Sequence, residues 1–275
     1  MGYKLQLTNL QNVVPGNVAT LKVPTGPGAP TYDQIQLVLG GGMLPAHIVS
    51  IRGKANGRIF LDENGGGAVI NEREAYRGIY TDATFVMVDF TEPRARNGAA
   101  EQLVAAVPGS ALQDLTFEIT IAAAAPAGGT IQAVANYRPP TTNPYIRKLL
   151  SVSQGFVGAG TLSAPNVLYL PVGSAGGKMK RVWLREPAPG VITHAQIRIA
   201  NNVVYDIDRA AAEAGQKRFN LVPQSGIFVL DFIEDGNLAG LLDTSKAPNC
   251  EVRLVTSAGG QFVADYELID PIGRL

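Results

Sequence analysis

Phe85-Val86-Met87-Val88-Asp89-Phe90 returns as Ile227-Phe228-Val229-Leu230-Asp231-Phe232, with Asp-Phe on Asp-Phe 142 residues apart. The first run is almost continuously apolar, as in a strand covered on both sides. Outward from it, the same segments recur in the same order. Leu21-Lys22-Val23-Pro24 is matched by Leu168-Tyr169-Leu170-Pro171, and Ile35-Gln36-Leu37 by Val182-Trp183-Leu184, both at a shift of 147. The only two histidines, His47 and His194, fall at that shift too. Asn56-Gly57-Arg58-Ile59-Phe60 aligns with Asn201-Asn202-Val203-Val204-Tyr205 at 145, Phe117-Glu118-Ile119 with Cys250-Glu251-Val252 at 133, and Ala135-Asn136-Tyr137 with Ala264-Asp265-Tyr266 at 129. The shift only shrinks, as in two copies of one fold whose second copy has shorter loops. The period is too long for a solenoid or propeller, so a duplicated domain is expected.

The segments themselves read as strands. Tyr3, Leu5 and Leu7 alternate with Lys4, Gln6 and Thr8, and Ile35, Leu37 and Leu39 with Gln34, Gln36 and Val38. A period of two puts one face inward and one outward. Thr116–Ala122 and Thr130–Tyr137 read as two strands of a hairpin joined through Ala-Pro-Ala-Gly-Gly. The 49 Gly and Pro residues mostly punctuate such runs, which places the chain in the β-sandwich or barrel class. Helix is expected only in short pieces: Ala99–Val107 behind an Asn97 cap, Asp208–Gly215, and Asn71–Tyr76. Short helices between strands suit a jelly roll with decorated loops. Arg138-Pro139-Pro140-Thr141-Thr142-Asn143-Pro144 is a stiff connector. The expected division is residues 1–138 for the first copy, 139–144 for the linker and 145–275 for the second.

The 23 Lys and Arg balance 23 Asp and Glu, and neither half is strongly charged. A nucleic-acid binder needs clustered basic charge, so no specific nucleic acid is expected as a partner. A neutral chain also lacks the repulsion that keeps proteins apart, which suits side-by-side packing. Cys250 is alone, excludes an internal disulfide, and lies in a strand-like run as a buried thiol. Met1-Gly2-Tyr3-Lys4 runs straight into alternating residues, so no signal peptide is expected, and Gln6 stands where a myristoylation signal has Ser or Thr. No run approaches the length of an apolar membrane span.

Catalytic signatures are missing. His47 and His194 occupy equivalent positions in the two copies, so they are expected to do equivalent structural jobs and to form no site. Gly40-Gly41-Gly42 and Gly65-Gly66-Gly67 lack the Lys-Ser/Thr of a P-loop and read as flexible loop tips. There is no Gly-x-Ser-x-Gly elbow and no Cys/His metal cluster. The carboxylates Asp62-Glu63, Asp206/Asp208 and Glu234-Asp235 remain for acid–base work. Asp62-Glu63-Asn64-Gly65 and Glu234-Asp235-Gly236-Asn237 have the look of calcium loops, without EF-hand spacing. No catalytic or cofactor-binding residue is expected, and a structural calcium stays open. Trp183, the only tryptophan, sits mid-strand where the first copy has Gln36, which offers little to a sugar.

The chain resembles the major capsid proteins of corticovirus type, in the double-jelly-roll lineage shared with tectiviruses and adenoviruses. The resemblance lies in Leu5-Gln6-Leu7-Thr8-Asn9-Leu10, Val13-Val14-Pro15-Gly16-Asn17, Leu44-Pro45-Ala46-His47-Ile48 leading into Asn56-Gly57-Arg58-Ile59, and the run from Phe85 to Phe90. Tyr145-Ile146-Arg147-Lys148 resembles the aromatic-plus-basic entry into the second copy. Ala122–Gly129 and Gly173–Gly177 depart from the pattern. The resemblance implies an all-β chain of two tandem eight-stranded jelly rolls with a few short helices in loops. It implies a non-enzymatic coat protein of a tailless icosahedral phage with an internal membrane, located in the virion after assembly in the host bacterial cytoplasm. Its implied partners are its own copies as homotrimers with a nearly hexagonal outline, neighbouring trimers, a separate vertex (penton) protein, and the internal membrane or its small proteins. Arg147-Lys148 would then lie near the lipid head groups, and the Ala99–Val107 helix, through Leu103, at a subunit contact. Two other readings stay open at this point: a glycan- or receptor-binding β-sandwich such as a phage spike, and a two-jelly-roll glycoamidase using Asp62 with Asp206 or Glu234.

Overall fold

The computed structural model describes residues 3–95, 105–142, 145–172 and 177–274. The chain divides into two compact units. One holds Met1–Ala75, Ile79–Leu150 and Pro271–Leu275; the other holds Tyr76–Gly78 and Ser151–Asp270.

In the first unit the strands are β1 (Tyr3–Gln6), β2 (Val18–Lys22), β3 (Thr31–Gly40), β4 (Ile48–Ala55), β5 (Arg58–Asn64), β6 (Phe85–Asp89), the two-residue β7 (Val107–Pro108), β8 (Leu115–Ile121) and β9 (Thr130–Arg138), with helix α1 (Gly66–Tyr76) between β5 and β6. They form two sheets, β1-β9-β3-β6 and β2-β8-β4-β5. First lies beside last and second beside next-to-last, which is jelly-roll order. Alternation supplies the core: Ile35, Leu37 and Leu39 of β3 and Leu115, Phe117, Ile119 and Ile121 of β8 are buried. Phe60, Phe90 and Phe117 meet at ring-centroid distances of 5.9–6.2 Å. Each such side chain contributes about 1.5–3 kcal/mol by leaving water.

The second unit repeats the plan with β10 (Tyr145–Phe156, whose first half belongs to the first unit), β11 (Asn166–Tyr169), β12 (Lys178–Arg185), β13 (Ile192–Ile199), β14 (Asn202–Asp208), helix α2 (Arg209–Arg218), β15 (Ile227–Asp231), the short β16 (Leu242–Asp243), β17 (Cys250–Thr256) and β18 (Gly260–Pro271). Its sheets are β15-β12-β18-β10 and β11-β17-β13-β14.

Strand register makes the duplication exact enough to correct the alignment. Leu21 opposes Phe117 as Leu168 opposes Val252, so β2 and β11 match at 147 but β8 and β17 at 135, not 133. Ile35 opposes Ala135 as Val182 opposes Tyr266, which puts β9 and β18 at 131, not 129. β4–β5 and β13–β14 match at 144: both hairpins carry a bulge, after Gly53 and after Ile197. Both turn through two left-handed residues, Asn56-Gly57 and Ala200-Asn201. Another bulge follows Ile48 and Ile192, so the partner of His194 is Ser50. His47 is not its equivalent. It ends a 3-10 turn before β4, and its Nδ1 accepts the Leu44 N–H at 3.1 Å.

Two more expectations are overturned. Thr116–Ala122 and Thr130–Tyr137 are strands, yet not a hairpin: β8 pairs with β2 and β4, β9 with β1 and β3, and the connection passes from one sheet to the other. Gly65-Gly66-Gly67 is no loose tip but the start of α1, five residues earlier than expected. Gly66 has φ +56°, and a Cβ there would lie 2.0 Å from the Ile48 carbonyl oxygen. Only glycine fits, because the helix starts against the entry to β4. The Ala99–Val107 helix falls mostly outside the described residues, Leu103 included; Val107 itself is in a strand. α2 runs Arg209–Arg218 behind Asp208, one turn longer than expected.

Candidate functional site

Duplication places one constellation in both rolls, on the sheet face turned away from each roll's core. It is made where β3, β6 and β9 run together, and again at β12, β15 and β18. Gln34 lies opposite Asp89 and Asn136; Arg181 lies opposite Asp231 and Glu267. Just before each comes a bulge, after Tyr32 and after Met179. A bulge breaks the alternation and re-aims a side chain. Asp33 thereby joins Gln34 along the outward face, and Lys180 joins Arg181.

In the second unit this constellation is ionic and fully buried. Arg181 Nε donates to Asp231 Oδ2 at 2.8 Å and its Nη1 to Glu267 Oε2 at 3.5 Å, while Lys180 Nζ donates to Glu267 Oε1 at 2.9 Å. Tyr76 and Arg77, part of this unit, cover it. The Tyr76 hydroxyl donates to Asp231 Oδ2 at 3.1 Å, and Arg77 Nη2 lies 3.2 and 3.4 Å from the Glu267 oxygens. Burial, then the Asp231 charge, raises the Tyr76 phenol well above its usual pKa. The Tyr76 ring stands edge-on to Trp183 at 5.0 Å, in an apolar patch with Leu221, Ile227 and Val229. Trp183 is 0 % exposed, so it presents nothing to a glycan.

In the first unit the constellation is polar and open. Gln34 Nε2 donates to Asp89 Oδ1 at 2.6 Å, and Asn136 Nδ2 donates to Gln34 Oε1. Asp33 Oδ2 takes Arg138 Nε at 2.7 Å. Asp33 Oδ1 and Asn136 Oδ1 are buried and accept no hydrogen bond among the described residues. With Lys4 and Thr91 these groups line a cleft of about 330 Å³.

Asp62 pairs with Arg52 at 3.4 Å, and Glu63 is buried against Arg73. His194 lies between Asp206 at 2.7 Å and Asp208 at 2.9 Å. In the second unit, Glu234 and Asp235 edge a cavity of about 600 Å³ beside α2, lined also by Tyr205 and Phe219. Burial, followed by the charges of Asp231 and Asp235, raises the Glu234 pKa. Asp235 Oδ1 accepts the Asn237 N–H at 2.9 Å, so this loop is a closed turn. Among the described residues, no three His, Cys, Asp or Glu form a group able to hold a metal. Cys250 is buried, its thiol pushed up to about 12 mainly by burial. Arg147 is buried too, with Nη1 donating to the Asp89 carbonyl oxygen, so it is no lipid-facing cation. No helix among the described residues is long and apolar enough to cross a membrane.

The doubled constellation was missed in the sequence because its members come from strands about 50 and 100 residues apart. The one available signal was Asp89 recurring as Asp231 in the opening run.

Comparisons with known proteins agree with this architecture. The family model described as viral coat protein P2 N-terminal domain matches residues 4–138, and its C-terminal counterpart matches residues 146–272. Among solved structures, the chain is similar to the major capsid protein P2 from bacteriophage PM2, at 17% identity and a TM-score of 0.84 over 99% of each chain. It is similar to a chain of the atomic structure of Sulfolobus Turreted Icosahedral Virus, at 15% identity and 0.71 over 97% of this chain and 90% of that one. It is also similar to the PBCV-1 virus capsid, at 13% identity and 0.63 over 98% and 94%. A search of curated proteins finds no match.

Proposed function

The chain belongs to the viral coat protein P2 family, and from that premise we propose that it is the major capsid protein of a tailless icosahedral phage, forming homotrimers that tile the shell. As a structural coat protein it is not an enzyme, and its place is the virion. The observation that carries the trimer is the duplication itself. Two rolls of equal strand order per chain, taken three times about an axis, give six similar walls and a nearly hexagonal tile. Such tiles alone make a flat sheet, so a closed shell needs a separate vertex protein. The internal membrane, or small proteins in it, would lie against the base of the tiles. The balanced charge of the chain supports close packing of copies and opposes a role in holding nucleic acid. The reading needs no cofactor. In the Asp62-Glu63 loop both carboxylates already have cationic partners.

Native mass measurement tests the proposal. Three chains of 29.0 kDa give about 87 kDa. A protein that stays at one chain mass at high concentration overturns it.

A further inference from the structure

We propose that the outward face of the β1-β9-β3-β6 sheet receives a second copy of this chain, and that the segment it receives is Arg218-Phe219-Asn220. The proposal rests on the self-assembling coat reading and names one of its contacts.

The second unit shows what covers such a face. Its outward face is buried under Tyr76 and Arg77, the residues that end and follow α1. The residues that end and follow α2 are built the same way. Gly78 (φ +69°) and Asn220 (φ +59°) are both left-handed. Ile79 N donates to Glu74 O at 2.9 Å, and Leu221 N to Gln216 O at 3.0 Å. All three correspondences fall at 142, the shift that relates β6 to β15. Arg218 therefore stands where Tyr76 stands, and Phe219 where Arg77 stands.

On the receiving side, Trp183, Ile227 and Val229 are buried in the second unit. Their counterparts Gln36, Phe85 and Met87 are only half-buried in the first. Among the described residues, the first unit has the same face without the cover. Arg218 is exposed.

The chemistry at the matched positions has changed in step. In the second unit the face brings its own cations, Lys180 and Arg181, and a neutral phenol is enough opposite Asp231. In the first unit those positions are Asp33 and Gln34, and beside Lys4 and Arg138 the face offers the unsatisfied acceptors Asp33 Oδ1 and Asn136 Oδ1. A guanidinium in place of the phenol supplies donors to those two acceptors. A contact between two different surfaces, repeated about an axis, closes into a ring.

Two variants test it on the full chain. Tyr76 touches Trp183, so Gln36→Cys with Arg218→Cys places two thiols at the corresponding contact. Oxidised and run under denaturing, non-reducing conditions, the double variant should give two- and three-chain species that neither single variant gives. Arg218→Glu should raise the concentration for half-assembly at least about tenfold, with Arg218→Lys affected less and Trp183 emission unchanged in both. Cross-linking only within one chain, no cross-linking, or assembly of Arg218→Glu at wild-type strength overturns the contact and leaves the coat reading standing. A wild-type chain that never self-associates removes both.

Discussion

Glu267→Gln removes the anion that Lys180, Arg77 and Arg181 share at 2.9–3.5 Å. The side chains of Lys180 and Glu267 are 0 % exposed and that of Arg77 2 %. Taking one partner out of a buried ionic group costs roughly 3–5 kcal/mol, because cations desolvated by folding lose their compensation. For a unit of this size that is a fall in melting temperature on the order of 10–20 °C. Trp183 is the only tryptophan and is buried in the same unit, so its emission reports this unit's unfolding. The comparison variant is Glu118→Gln. Its partner Lys54 and Glu118 itself are about a third exposed, and such a pair contributes at most about 1 kcal/mol. Denaturant midpoints for the two variants should differ several-fold in their displacement from wild type. If Glu267→Gln moves the Trp183 transition no further than Glu118→Gln does, the cluster is not under the tension that its burial implies.

Three further outcomes follow from single contacts. Gly66→Ala should cost roughly 1–3 kcal/mol from its left-handed backbone alone, with more from the approach to Ile48 O. Gly57→Asn, at φ +78° with open space around it, should stay near neutral in the same thermal melts. Arg147→Gln should lower the stability of the first unit without changing binding of the chain to anionic vesicles, read by melting and flotation. The folded pKa of Glu234 is raised, so the folded chain holds this proton more tightly than the unfolded one. Its contribution is full below the ordinary glutamate pKa and is lost as pH rises through the raised value. Glu234→Gln should therefore flatten stability against pH just above the usual glutamate range, and a slope there equal to wild type would contradict the shift.

What the sequence could show was the order of the strands, and what it could not show was their register. Strand patterns at Tyr3, Ile35 and Phe85, and at Val182 and Ile227, are local, and all of them became strands. The Ala-Pro-Ala-Gly-Gly connection looked like a hairpin because adjacency in sequence is all that a linear pattern reports. Jelly-roll order sends β8 and β9 to different sheets instead. The hairpins that do exist turn on Asn56-Gly57 and Ala200-Asn201, and matching Asn to Asn displaced the alignment by one residue. The paired histidines were a coincidence of spacing: His47 precedes its strand and His194 is inside one. Equivalence of the two could therefore not argue against a site. The family makes that argument instead.

The same register explains why the two rolls diverged where they did. Core positions answer to the same packing in both copies, so Ile35 and Val182, or Val86 and Phe228, remain apolar. The outward face answers to whatever covers it. In the second unit the cover is part of the unit, folding itself buries Lys180, Arg181, Asp231 and Glu267, and every charge must find its partner then. In the first unit the face keeps Gln34, Asn136 and a water-accessible cleft, groups that tolerate solvent before assembly and accept donors after it. Two faces of one ancestry thus carry different chemistry because one is completed when the chain folds and the other, on the contact proposed here, when chains meet.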